Sequence, residues 1–179
     1  MAAVEFAFIV PILLLMMIGT FEITRAISID RKFSIVTTMV ADLVAREEKL
    51  TKDDITAIYD VVENAMAPYD VNALTLSIIP VAAAPEDASK TAVYAADTNR
   101  PSYNGGAAPA VCDDYLLPTG LVGQNQSVIV VEGGYKFMPL IVGYVMGGSN
   151  WSKKAISVPR KRACVDFDQN GKPCGACFE

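Results

Sequence analysis

The stretch AAVEFAFIVPILLLMMIGTFEITRA (residues 2–26) decides the architecture of this 179-residue chain. Between positions 6 and 21 it contains no charged residue, and a membrane-spanning helix needs about 20 predominantly apolar residues. The flanking residues on both sides extend the run to that length and leave Glu5 near one membrane interface. Pro11 removes one helical hydrogen bond, which neighbouring helices in a membrane tolerate. We therefore expect a membrane-spanning helix at this end of the chain.

The helical pattern continues beyond the apolar run. Apolar residues step by four, three, four and three positions, which places them on one helix face: Ile29, Phe33, Val36, Val40 and Leu43. Most charged residues of this region lie off that face. We predict one helix from Ala2 to about Glu48, apolar all round in its first half and amphipathic in its second. This divides the chain into the membrane-spanning half of the helix at residues 1–24 and a globular domain at residues 25–179.

A secretory signal peptide is the first alternative for the apolar run. It is disfavoured because no basic residue precedes the run and no small-residue cleavage site separates it from the helical pattern. The basic residues Arg25, Arg31 and Lys32 all follow the run, so the positive-inside rule would place the rest of the chain in the cytoplasm. The cysteines indicate the opposite side. A basic leader that preceded Met1 and was removed would resolve this conflict.

The composition argues against two classes of function. The net charge is -5 and the isoelectric point about 4.8, whereas nucleic-acid binding requires clustered Lys and Arg. The chain contains no histidine, which removes the commonest general base and most catalytic zinc sites. We expect a protein that is not an enzyme and does not bind nucleic acid.

Four cysteines are present: Cys112, Cys164, Cys174 and Cys177. An even number beside a membrane segment suits structural disulfides in an oxidising, extracytoplasmic compartment, and the sequence does not choose among the three full pairings. The Cys174-Gly-Ala-Cys177 spacing is that of a thioredoxin-type redox motif, but no βαβ context or following helix is predicted. Redox catalysis and a four-cysteine zinc site stay as alternatives to disulfides in this tail, residues 163–179.

The same tail contains the first half of a calcium-binding loop. Asp166, Asp168, Asn170 and Gly171 match the pattern D-x-D-x-N-G, but the twelfth position is Cys177 instead of glutamate. A turn rich in Asp and Asn is the favoured interpretation. Calcium is the alternative, and no other cofactor is expected.

A second helix should begin after residue 50. Thr51 and Asp54 have the spacing of a capping box, and Pro68 should end the helix. The buried stripe is expected at Ile55, Ile58, Val62 and Met66.

The remaining pattern is that of short strands. Alternation at Leu74, Leu76 and Ile78 predicts a strand ending near Pro80, and residues 90–96 suggest another. Residues 126–140 give the strongest strand signal, in which the pair Gly133 and Gly134 indicates a bulge or bend. Between these strands lies a long loop at residues 97–123, a natural place for partner contacts.

Two further segments complete the sheet region. Residues 139–148 are apolar but too short to span a bilayer, which predicts a packed turn or short helix. Residues 151–165 form the last strand, in which the basic run 160–162 is expected to keep an edge strand soluble. Two helices followed by about four antiparallel strands give an α+β fold.

The N-terminal motif resembles the start of TadE/TadG-like minor pilins (pseudopilins) of the tight-adherence, or Flp, type IVc pilus. Glu5, Phe6, Pro11, Gly19 and Glu22 stand where that family has them. Met1 departs from the small residue that usually begins the mature chain. The strand pattern VIVVEGGYKFMPLI, followed by a strand that ends in basic residues, is also similar to the C-terminal sheet of these proteins.

The resemblance implies a function and a location. It implies a single-pass inner-membrane protein with a periplasmic domain, which acts in priming, capping or the tip of the pilus, with surface adhesion as a further role. The implied partners are other pilin subunits, the Tad assembly platform, inner-membrane lipid and, during maturation, the prepilin peptidase. The residues implied in assembly are Met1, Glu5, Phe6 and Pro11.

Among these residues Glu5 has the sharpest implied role, which is pairing with the N-terminal amine of a neighbouring subunit. A carboxylate in hydrocarbon is costly unless it is paired. Glu22 has a plainer interpretation, at the end of the span or as a partner of Arg25. The alternative function is a periplasmic binding or adhesion module with one span that never enters a filament. A third is a redox or metal protein that uses the C-terminal cysteines.

Overall fold

The computed structural model describes residues 2–95, 102–107, 109–140, 143, 147–167 and 177–178, without the side chains of residues 2 and 3. Two helices and seven strands follow one another in the order α1 (Ala2–Arg46), β1 (Lys49–Leu50), α2 (Lys52–Met66), β2 (Leu74–Ala83), β3 (Thr91–Val93), β4 (Ser102–Tyr103), β5 (Ser127–Phe137), β6 (Ser149–Ser157) and β7 (Asp166–Phe167). A short 3₁₀ turn, Val71–Ala73, leads into β2. The predicted α+β class is confirmed.

Helix α1 is one continuous element of 45 residues, close to its predicted bounds. The predicted stripe is buried at Ile29, Phe33, Val36 and Val40. The last residue of the predicted stripe, Leu43, is partly buried and packs against the same core, and Val44 beside it is fully buried. A helix of 3.6 residues per turn drifts away from a strict alternation of three and four, and the buried face drifts with it.

Helix α2 begins at the predicted capping box. The backbone N–H of Thr51 donates to Asp54 Oδ2 at 2.9 Å, and the N–H of Asp54 donates to Thr51 Oγ1 at 3.3 Å. The helix ends before Pro68, as expected, and buries three of the four predicted stripe residues: Ile58, Val62 and Met66. Its apolar face packs against α1 and the sheet in the main core.

The main sheet has five antiparallel strands in the order β3-β2-β5-β6, with β4 also paired to β2. One strand more than expected is therefore present. Strand β2 continues through Pro80 to Ala83, which corrects the predicted end near that proline. The Pro80 carbonyl accepts a hydrogen bond from the N–H of Tyr94 at 3.1 Å, on the side of β3. In an antiparallel strand, the N–H and C=O of one residue point towards the same neighbouring strand. The N–H that Pro80 lacks would therefore have pointed towards β3, and no hydrogen bond to β5 is lost.

Gly133 and Gly134, predicted to mark a bulge or bend, do not form a bulge. Gly133 is paired with Leu76 on one side and with Lys153 on the other, and Gly134 continues both registers without interruption. Gly133 instead lies under the ring of Phe33, where a larger residue would collide with α1.

The basic run Arg160–Arg162 does not belong to a strand, contrary to the prediction. Strand β6 ends at Ser157, and the run follows it in a bend beside the end of α1. The N–H of Arg160 donates to the carbonyl of Ala45 at 3.0 Å, and its guanidinium donates to Asp42 Oδ1 at 2.7 Å. The chain then forms β7, which pairs in parallel with β1 in a separate two-stranded sheet.

Both faces of the main sheet are covered. One face packs against α1 and α2 through the alternate residues Leu74, Leu76, Ile78, Ile129, Val131, Tyr135 and Phe137. On the opposite face, part of the predicted loop 97–123 folds back, and its Tyr115 and Val122 pack on Val81 and Val130. The predicted turn at residues 139–148 lies largely outside the described residues.

Candidate membrane-anchoring and assembly segment

The first half of α1 extends beyond the sheet as an exposed apolar surface. From Val4 to Phe21 no side chain is buried, and Phe6 and Phe8 are 66% and 75% exposed. The helix is long and apolar enough to cross a membrane, with a mean hydropathy of 2.3 over its most apolar 18 residues, of which 6% are buried. A contiguous apolar surface of this size is covered in a functioning protein, by lipid or by another chain.

The hydroxyl groups at the end of this half are satisfied within the helix. The hydroxyls of Thr20, Thr24 and Ser28 each donate at 2.8 Å to the carbonyl four residues earlier in the chain. Polar groups that find their partners inside the helix can enter hydrocarbon without leaving a lost hydrogen bond. The segment is therefore compatible with a membrane up to the point where the globular part begins.

The residues predicted to act in assembly lie on this exposed half, apart from Met1, which is outside the described residues. Glu5, Phe6 and Pro11 are all exposed, and in the part of the chain that the structure describes Glu5 makes no hydrogen bond or ion pair. Pro11 lies inside the helix and cannot donate to the carbonyl of Ala7. The structure thus leaves Glu5 far from its own globular domain and accessible to another molecule.

The buried part of α1 begins at Glu22, which is 7% exposed. In this part of the helix, two basic residues, Arg25 and Lys32, form hydrogen bonds with the globular domain. Arg25 Nη1 donates to the carbonyl of Met138 at 3.1 Å, and its guanidinium lies 5.8 Å from the ring centre of Phe137. Lys32 donates through its Nζ to carbonyls at the end of α2. Two of the three basic residues beside the span therefore make contacts inside the protein.

Lys32 provides the positive charge that the last turn of α2 lacks in its own sequence. The last turn of α2 contains no basic residue, although the free carbonyls of a helix end carry partial negative charge. Lys32 Nζ donates to the carbonyl of Ala65 at 3.2 Å and also to that of Ala67. The ammonium group of α1 thus caps the C-terminus of α2 and ties the two helices together.

Ion pairs fasten the second half of α1 to the edge strand and the bend after it. Lys153 Nζ lies 2.8 Å from Asp30 Oδ1, and Arg160 and Arg46 both contact Asp42. The side chains are partly exposed, and exposed pairs contribute little to stability. The docking of α1 therefore depends mainly on its buried apolar stripe.

The cysteines form disulfides. Cys112 is bonded to Cys177 across 65 residues, Cys164 is also disulfide-bonded, and Cys174 lies outside the described residues. The N–H of Cys112 donates to the carbonyl of Val93 at 2.8 Å, so the bond holds the tail beside β3. With Cys177 bonded to Cys112, the thioredoxin-type pair of Cys174 and Cys177 is not formed, and a zinc site of four thiolates would require this bond to be broken.

Only one of the predicted calcium ligands can be placed. Asp166 lies exposed on β7, where its N–H donates to the carbonyl of Glu48 at 3.0 Å. Asp168 and Asn170 lie outside the described residues. Calcium binding at this turn stays a prediction.

A polar cleft lies on the sheet face opposite α1. Its lining includes Thr75, Ser77, Glu132 and Lys154. Glu132 Oε1 accepts a 2.5 Å hydrogen bond from the hydroxyl of Tyr115, whose pKa is raised by burial and by this carboxylate. Lys154 lies 3.7 Å from Glu132 and 4.4 Å from the Tyr115 ring centre. The opposite charges are engaged with each other, so the cleft offers polar groups but little net charge.

Comparison with known proteins gives one match. Residues 1–46 match the family model described as TadE-like protein. This segment is TadE-like. The match covers α1 from end to end, and it confirms the resemblance predicted from the first 26 residues. No curated protein and no solved structure matches the chain. Residues 47–179 lie outside the TadE-like segment, so the similarity of the sheet region to these proteins stays a prediction.

Proposed function

We propose that this protein is a minor pilin, or pseudopilin, that is anchored in the inner membrane and takes part in assembly of a Tad pilus. It has no catalytic activity of its own. The observation that carries this proposal is the exposed apolar half of α1, which presents Glu5 and belongs to the TadE-like segment. A structural protein of a filament needs such a surface, because the same residues must face lipid before assembly and other helices after it.

The proposed topology follows the division of α1. Residues 1–24 lie in the membrane, and residues 25–179 form a periplasmic domain. The disulfide between Cys112 and Cys177 supports this placement, since disulfides persist in oxidising compartments such as the periplasm. The proposed partners are inner-membrane lipid, other pilin subunits, the Tad assembly platform and, during maturation, the prepilin peptidase.

Glu5 is the proposed assembly residue. In lipid its carboxylate gains most from a positive partner, and among the described residues of its own chain it makes no ion pair. The N-terminal amine of a neighbouring subunit would supply that partner and set the axial position of one helix against the next. Phe6 and Pro11, on the same exposed half, would shape the helix contact.

Within assembly, we assign the protein to priming, capping or the tip of the filament, with surface adhesion as a further role. The second candidate is a periplasmic binding or adhesion module with one span that is not incorporated into a filament. The polar cleft beside Glu132 and Lys154 is the feature that favours this candidate.

The test is to replace Glu5 in the intact protein. Glu5→Ala and Glu5→Gln should lower the amount of assembled surface pili by about tenfold or more, because a helix contact in lipid loses its charge pair. The amount of protein in the membrane fraction should not change. Glu47→Gln, which neutralises an exposed acid at the other end of α1, is the matched control and should assemble normally. Normal pilus levels with Glu5→Ala would contradict the proposal and favour the binding module.

A further inference from the structure

The connection between β5 and β6 leaves the sheet at the end where α1 leaves it. Its first residues expose apolar side chains, with Met138 at 55% and Leu140 at 52% exposure. The sequence contains no charged residue between Lys136 and Lys153. An exposed apolar tip on an otherwise solvated domain indicates a contact surface.

The contact with Arg25 places this tip at a definite level along α1. Arg25 donates to the carbonyl of Met138, so Met138 lies beside the turn of α1 that contains Arg25. Arg25 follows Glu5 by 20 positions, which corresponds to about 30 Å of helix. The hydrocarbon core of a bilayer is also about 30 Å thick. When Glu5 lies at one boundary of the hydrocarbon, Arg25 and Met138 lie at the other.

The residues behind the tip have the chemistry of a membrane interface. Phe137 and Trp151, the only tryptophan of the chain, stack with ring centres 4.6 Å apart. Tryptophan is enriched at the boundary between headgroups and hydrocarbon. Lys136, next to Phe137 in the sequence, is exposed, and a lysine at this level can place its ammonium group among lipid phosphates.

We propose that Met138 and Leu140 insert into the bilayer surface beside the point where α1 emerges, as a second lipid contact of the domain. This inference rests on the proposed membrane anchoring of α1. Lipid is the occupant favoured by the structure, because the hydrogen bond from Arg25 holds Met138 beside the turn of α1 that directly follows the apolar, membrane-spanning run. The contact would fix the rotation of the domain about the helix axis.

Tryptophan fluorescence in lipid provides the test. The full chain with Trp151→Phe is reconstituted in phosphatidylcholine vesicles that combine lipids brominated near the headgroup with lipids brominated near the end of the acyl chain, so that tryptophan is quenched at every depth of the hydrocarbon. Leu140→Trp in this background should lose emission to an extent comparable to Leu14→Trp in the middle of the span. Leu116→Trp is the matched control. Leu116 is 91% exposed and follows Tyr115, whose N–H donates to the carbonyl of Thr91. Thr91 begins β3 and is paired with Ala83, at the end of β2 far from the tip, so Leu116→Trp should show no quenching.

The outcomes separate the two proposals. Absence of quenching at Leu14→Trp would overturn the membrane anchor itself. If Leu14→Trp is quenched but Leu140→Trp is quenched no more than Leu116→Trp, the lipid contact is overturned and the anchor stays intact. The apolar tip would then be a contact surface for another protein. If Leu140→Trp perturbs the fold, Met138→Trp provides a second probe of the same membrane boundary. The proposal requires that this variant is quenched as well.

Discussion

Phe33 of α1 lies directly against Gly133 of β5, where an added Cβ atom would come within 2.7 Å of the phenylalanine Cε2. Phe33 is fully buried, and its ring centre lies 6.0 Å from that of Tyr135 on the same strand. The absence of a side chain at Gly133 therefore lets the helix approach the middle of the sheet. This contact sets how closely the long helix and the domain can pack.

We expect Gly133→Ala to destabilise the domain by about 1–3 kcal/mol, the usual cost of overpacking a filled core. The new methyl group would also meet Leu76 Cδ2 at 3.1 Å, so neither neighbour can yield freely. Urea unfolding of the full chain in detergent, followed by circular dichroism, measures the change. Gly19→Ala is the matched control, because a Cβ there meets nothing within 4 Å. Equal unfolding midpoints for the two variants would refute the role of this contact.

Lys32→Met should destabilise the domain by about 1–2 kcal/mol, because α2 loses the cation at its C-terminus and two carbonyls lose a donor. Methionine keeps most of the aliphatic stem, so the change reports on the charge. The control is Arg31→Met at the neighbouring exposed position, which removes a charge without a contact in the described part of the chain. Thermal unfolding should separate the two variants. If both shift the midpoint equally, the general loss of positive charge is responsible and the capping role is refuted.

Removing the Cys112–Cys177 bond should lower stability by about 2–4 kcal/mol, because it closes a long loop in the unfolded chain. The variant is Cys112→Ser combined with Cys177→Ser, and Ala110→Ser in the same loop is the control. The double variant should still respond to reduction, since Cys164 is also disulfide-bonded. Thermal unfolding with and without reductant, together with mass analysis after thiol alkylation, measures both effects. An unchanged midpoint in the double variant would contradict this expectation.

Tyr94 should make the fold sensitive to alkaline pH. Burial raises the pKa of Tyr94 from 10.0 to about 12, and its hydroxyl donates to the carbonyl of Val165 at 3.0 Å. Since the folded pKa is the higher one, the contribution of Tyr94 is complete below pH 10 and is lost as the pH rises towards 12. The loss should reach about 2–3 kcal/mol.

Comparison with Tyr94→Phe isolates this group, because the other tyrosines titrate in both proteins. The variant should be less stable near neutral pH by about 1 kcal/mol, since one hydrogen bond is lost. Its unfolding free energy should fall less steeply between pH 10 and 12, so the two curves should cross in this range and leave Tyr94→Phe the more stable protein by about 1–2 kcal/mol at pH 12. Parallel curves across this range would show that Tyr94 does not titrate differently on folding.

Much of this architecture could be predicted because long periodic segments carry a strong signal. The apolar run and the stripe through Phe33 and Val40 predicted α1, and the Thr51–Asp54 spacing predicted the start of α2. Each of these depends on neighbours in the sequence, so a local pattern is enough to find it.

The errors have a common cause in contacts between distant segments. Pro80 does not end β2, because the N–H that proline lacks would have pointed away from β5. The sequence does not show towards which neighbouring strand a given residue directs its N–H. Gly133 was taken for a bulge residue, whereas it makes room for a side chain 100 positions earlier, at Phe33. The pairing of Lys49 with Asp166 and the bond from Arg25 to Met138 each join residues more than 100 positions apart, so no local pattern predicts them.

The uninterrupted course of α1 from the exposed apolar half into the domain has a mechanical consequence. A flexible linker between an anchor and a domain would let the two reorient independently. Here the same hydrogen-bonded rod passes from Ala2 to Arg46, and its buried face is packed on the sheet. A pull or twist applied to the anchoring half is therefore transmitted to the sheet as a rigid-body displacement. Extraction of the helix from the bilayer would lift the domain with it, in a fixed orientation.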